Sequence, residues 1–101
     1  MSLDNLTYHA VTSGRKTVAS AGTAEQITTT LTPIRRVDIT AETDNTGKIA
    51  LGGSTAVATE GSQQGVILEP GQTYTFHITD LSKIYVNATV NGDGVTYNYL
   101  I

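Results

Sequence analysis

The chain has 101 residues, a single domain's length, at which folding buries roughly 60–65% of the unfolded surface. It has no Cys, 15% charged residues and a formal net charge of −3. These values exclude a disulfide framework and thiolate chemistry, and they argue against an electrostatic grip on nucleic acid or anionic membrane. Eighteen Thr and ten Gly disfavour helical bundles, and no run of about 18 apolar residues marks a membrane span. One soluble, non-enzymatic, all-β domain over 1–101 is expected. Residues 1–5 are expected to be a flexible N-terminus, with Met1-Ser2-Leu3 readable as a cloning scar and no secretion signal.

In chain order, the first candidate strands are Leu6 to Val11, Lys16 to Ala19 and Glu25 to Leu31. Thr23 to Ile27 has the composition of one helical turn, opposed by the three Thr that follow. Val37, Ile39 and Ala41 then form an inward row with Asp38 and Thr40 outward, and Ile49 with Leu51 forms a short fourth element. Ser54 to Gln64, small and polar, is expected to be the least ordered stretch, a loop or an edge strand. Gly65 to Leu68 follows. Tyr74, Phe76 and Ile78 share a face opposite His77. Ile84, Val86, Ala88 and Val90 alternate with Tyr85, Asn87 and Thr89, and Val95, Tyr97, Tyr99 and Ile101 close the chain.

Turn chemistry punctuates these runs. Glu69-Pro70-Gly71-Gln72 predicts a type II turn. Asp44-Asn45-Thr46-Gly47 separates the Val37 and Ile49 rows. Asn91-Gly92-Asp93-Gly94 predicts a hairpin that pairs Ile84–Val90 with the Tyr97–Tyr99 strand. Eight or nine short strands at this spacing predict a small antiparallel β-sandwich, jelly-roll-like, with an immunoglobulin-like sandwich as the alternative. The thin core and the open strand edges predict a homo-oligomer.

No constellation points to catalysis, a cofactor or a metal. His9 and His77 lie far apart, and only Asp80 is placed to orient His77. The nine carboxylates are scattered, without a selected pair for glycoside hydrolysis. The two oxygen-rich turns at 44–47 and 91–94 lack the spacing of a calcium loop and read as turns. Asn5 and Asn87 head Asn-x-Thr sequons, but Asn87 sits on a strand. Arg35 and Arg36 point to opposite faces. The candidate interface residues are Tyr85, the one aromatic clearly facing outward, with His77 and Arg36.

The order of several stretches resembles small virion structural proteins of tailed bacteriophages and prophages. These are Thr17-Val18 with Ala21-Gly22-Thr23-Ala24, Arg36 to Ala41, Asn45 to Ile49, Leu51-Gly52-Gly53, Leu68-Glu69-Pro70-Gly71, Asp80 to Val86 and Gly92 to Tyr97. The resemblance covers about Val11 to the C-terminus and implies a structural role. Expected are a head-decoration (cement), head-fibre or tail-associated component, trimeric by self-association, contacting capsid or tail proteins, made in the bacterial host cytoplasm and located in the virion. It carries no catalytic or cofactor residues across. The alternative is a carbohydrate-binding or adhesin-like module of a phage tail or fibre, which the lack of Trp disfavours.

Overall fold

The structure is a computed structural model and describes residues 10–101. The expected Leu6–Val11 strand therefore lies, up to His9, outside the described residues. Eight strands follow: β1 (Val11–Thr17), β2 (Glu25–Gln26), β3 (Arg36–Ala41), β4 (Ile49–Gly52), β5 (Val66–Leu68), β6 (Thr73–Phe76), β7 (Tyr85–Ala88) and β8 (Gly94–Leu100). Sheet A has the order β1-β8-β3-β6 and sheet B the order β2-β7-β4-β5. β1 pairs with β8, β2 with β7, β3 with β6 and β4 with β5, all antiparallel. That nesting is one long hairpin rolled over itself, closed by the β3–β8 and β4–β7 pairs. It is the jelly-roll arrangement, and the immunoglobulin-like alternative is excluded by the strand order.

Only β4 and β5 are consecutive strands of one sheet; every other connection crosses between sheets. The expected hairpin between Ile84–Val90 and Tyr97–Tyr99 is thus incorrect. β7 lies in sheet B and β8 in sheet A. Gly92 does adopt the positive φ (90°) that a tight turn needs. Its N–H, however, donates to Val18 O at 3.0 Å, so the turn is tied to the end of β1 and arches across the sandwich. A positive-φ turn serves a hairpin or an arch equally well; long-range partners choose between them. The Glu69–Gln72 turn is as expected, with Gly71 at φ 87° and Gln72 N–H donating to Glu69 O at 3.0 Å.

Alternation decides the core. Val37, Ile39 and Ala41 of β3 are fully buried between the half-exposed Arg36, Asp38 and Thr40. They face Ile49, Leu51, Val86 and Ala88 of sheet B. Each such large side chain contributes roughly 1.5–3 kcal/mol when fully buried. Val18, Ile27, Ile34 and Leu81 arrive from the crossovers and close the ends of the core. Three residues of the expected inward rows leave it. Tyr74 is 42% exposed because β6 is a four-residue edge strand. Val90 (39%) lies beyond the end of β7, and Ile101 (41%) beyond the end of β8. The Thr23–Ile27 stretch is not helical but extended at Glu25–Gln26.

The segment 54–64 is better packed than expected. It lies over the outer face of sheet B, where Ala56 and Ala58 join Ala50 in a second small core flanked by Ile67. A Val57–Gln64 bridge closes it. The sequence pattern treats these alanines as loop residues, because a single methyl gives no strand signal.

The β1–β2, β3–β4, β5–β6 and β7–β8 connections gather at one end of the sandwich, called the upper end below. The β2–β3, β4–β5 and β6–β7 connections leave the strands at the lower end.

Candidate functional site

The two oxygen-rich turns meet at the upper end and satisfy each other. Asn45 Nδ2 donates to Gly94 O at 2.8 Å, and its Oδ1 accepts from Gly94 N–H at 2.9 Å. The Asp93 carboxylate accepts from Thr46 N–H at 3.1 Å and Gly47 N–H at 2.8 Å. Asn45 and Asp93 are both buried. Their oxygens are consumed in joining the sheets, which is why these sequences read correctly as turns. Among the described residues, no group of three or more acidic or histidine side chains is arranged to hold a metal ion.

Two further carboxylates organise crossovers. Glu25 accepts from Ala19 N–H and Ser20 N–H and pairs with Lys16 at 3.0 Å. Burial alone would raise its carboxyl, but the Ser20, Lys16 and Ala19 contacts outweigh it and hold Glu25 below the ordinary glutamate range. Asp80 caps the 3-10 turn Leu81–Lys83. Its Oδ1 accepts from Thr32 N–H (3.1 Å), Ser82 N–H (3.0 Å) and Ser82 Oγ (2.9 Å). The Thr32 bond is the largest influence holding its carboxyl below the usual aspartate range. Asp80 is therefore a cap, and the suggested role of orienting His77 is not what this oxygen does. Asn87, the strand sequon, is buried. Its Nδ2 donates to Ala56 O at 2.8 Å and its Oδ1 accepts from Gly22 N–H at 3.0 Å, pinning both flanking segments.

The outer face of sheet A is a polar grid set by register. Ser13, Asn98, Asp38 and Thr75 form one row; Thr96, Thr40 and Thr73 form part of the next. The rows are internally hydrogen-bonded: Ser13 Oγ to Asn98 Oδ1, Thr75 Oγ1 to Asp38 Oδ1, and Thr40 with Thr73 at 2.7 Å. Arg36 pairs with Asp38 at 3.2 Å on the same face. His77 is exposed one residue beyond the Val37–Phe76 pair, with the same outward parity as Arg36. Tyr85 faces outward as expected but on sheet B, half-buried in register with Gln26 and Gly52. The three candidates thus lie on two different faces, all toward the lower end. Above Thr40 and Thr96, a shallow depression of about 350 Å³ opens beside Glu42 and Asp44. Glu42 is bound there by Arg15 at 2.6 Å.

The carboxylates of the upper end come from five separate connections and strands, a gathering invisible before the topology is known. Glu25, Glu42, Asp44, Glu60, Glu69 and Asp93 gather at the upper end with three cations: Arg15 lies against Glu42, Lys16 against Glu25, and Lys48 lies 2.8 Å from Glu60 and 3.7 Å from Glu69. Arg35, Arg36 and Lys83 lie at the lower end, with Asp38 paired to Arg36 and Asp80 capping the turn that carries Lys83. The chain matches no protein-family model, no curated protein and no solved structure.

Proposed function

We propose that the protein is a non-enzymatic structural subunit of a bacteriophage or prophage virion, decorating or stabilising the capsid through contacts with its own copies and with capsid subunits. The observation that supports this reading is the outer face of sheet A. It is a shallow platform of small hydroxyl and amide side chains, prearranged by hydrogen bonds among themselves. Such a surface suits repeated, individually weak contacts, which a symmetric particle multiplies. A trimer is the expected assembly. Inducing the prophage of the source bacterium and purifying the particles tests it: this chain should be found in them by mass spectrometry, in many copies. Particles that form without it would overturn the reading.

One observation favours the carbohydrate-binding alternative, the exposed Tyr74 ring on edge strand β6, packed edge-on against Phe76 at 4.9 Å. Sugar binding on a glycan array that Tyr74→Ala abolishes would promote that alternative over the capsid role.

A further inference from the structure

We infer that two copies of this chain join through the open edge of β6, continuing sheet A as an antiparallel β6–β6 pair across a two-fold axis. This rests on the self-association in the reading above and names its contact, and it holds whether or not the assembly belongs to a virion. Backbone parity supplies the contact. Ala41 N–H donates to Gln72 O at 2.9 Å. Bonded pairs alternate along an antiparallel ladder, so Ile39–Tyr74 and Val37–Phe76 exchange the bonds between β3 and β6. Thr73 and Thr75 therefore turn their N–H and C=O groups to the open edge, where no other described residue bonds them.

The other three edges are each blunted. β1 carries Arg15 and turns Lys16 inward, in register with Val95, to pair with Glu25. β2 has two residues. β5 has three, entered from Gly65 at φ 99° and left at Glu69-Pro70. Charge, shortness and proline all discourage strand addition. β6 has four uncharged, strand-forming residues without Gly or Pro, and Tyr74 on it is 42% exposed. A second copy is the occupant because this edge is its own complement. Thr73 meets the partner's Thr75, and Thr75 the partner's Thr73, each pair exchanging both its N–H···O bonds. Tyr74 lies on the axis and meets the partner's Tyr74 in the closer, non-bonded pair, where aromatic rings stabilise each other across strands. The axis passes through sheet A, so the two outer polar faces join into one platform. Such a contact is isologous and closes at two copies. The trimer expected above would need a different contact, and the mass decides between them.

The chain has no Cys, so Tyr74→Cys places a single thiol on the axis. Cα atoms of a non-bonded pair lie about 4.5 Å apart, within disulfide reach. Leu31→Cys, at a 70% exposed position of the β2–β3 crossover, reports chance collision. In a glutathione redox buffer, Tyr74→Cys should form covalent dimer at least about tenfold faster than Leu31→Cys. Thr75→Pro deletes an edge N–H and spares the bonds to β3, a position at which edge strands accept proline. Circular dichroism establishes that it is folded, and the cysteine pair serves if it is not. Sedimentation velocity from micromolar to millimolar concentration should read two chains for wild type, with association weakened at least about tenfold in Thr75→Pro. If wild type associates but the two cysteines cross-link equally, or folded Thr75→Pro associates as well as wild type, the β6 contact is wrong and self-association stands. A three-chain mass likewise overturns the two-fold contact. A wild type that stays monomeric throughout overturns both, and leaves the edge to a strand of a different protein.

Discussion

Asn45 and Gly94, 49 positions apart, exchange two hydrogen bonds: the Asn45 side-chain amide donates to the Gly94 carbonyl and accepts from the Gly94 N–H. A side chain there replaces a β-bridge, and it clamps the β3–β4 crossover to the start of β8. With Asp93 holding Thr46 and Gly47 in return, the upper end is closed by reciprocal side-chain-to-backbone contacts.

Removing that clamp should be costly. Asn45→Ala leaves the buried Gly94 N–H without its partner, while the Gly94 carbonyl keeps the Glu42 N–H as a donor at 3.0 Å. We expect a loss of about 1–3 kcal/mol, read from urea denaturation. Asn45→Asp should be comparably damaging, because its second oxygen would face the Gly94 carbonyl.

Gly94 itself is held to glycine by crowding. A Cβ there would meet the Lys16 carbonyl oxygen and the Thr17 Cα of β1, both backbone atoms that cannot rotate away. Gly94→Ala should therefore force β1 from β8 and cost about 1–3 kcal/mol. Thermal unfolding measures it, and a wild-type midpoint would show that the strands tolerate the separation.

Asn87 should control one segment rather than the whole fold. Asn87→Ala removes the donor to Ala56 O and the acceptor of Gly22 N–H, while Gly22 N–H keeps Ala88 O as a second acceptor at 3.2 Å. Amide exchange should rise across 54–64 while β3, β4 and β8 stay protected. Uniform acceleration would instead make Asn87 part of the global core.

What the sequence shows and what it hides divide along one line. The alternation at Val37–Ala41 and Ile84–Ala88 is local, because burial of one sheet face imposes a two-residue period. Pro70-Gly71 likewise declares its own turn. Pairing is not local: Asn91-Gly92 fits a hairpin and an arch alike, and only the bonds to Val18 and to the 44–47 turn decide for the arch. The same holds for the candidate surface. Outward parity correctly places Tyr85, His77 and Arg36 on the solvent side of their strands, but which strands share a face depends on the rolled topology. Ala56, Ala58 and Asn87 carry no periodic signal because their burial comes from a segment laid across the outside of a sheet.

Acid should loosen the crossovers first. Glu25 and Asp80 both have carboxyls held below their ordinary values of 4.5 and 3.8. For a depressed carboxyl, the unfolded chain takes up the proton before the folded one does. The stabilisation is therefore fully present above those ordinary values and is lost as pH falls through the lower, folded ones. Midpoints of thermal unfolding should be level from neutral pH to about pH 5 and drop below it. Glu25→Gln and Asp80→Asn should each lower the neutral-pH midpoint and flatten the acid limb, since neither neutral side chain can be protonated in that range. A wild-type acid limb retained in the double variant would show that Glu25 and Asp80 are not its source.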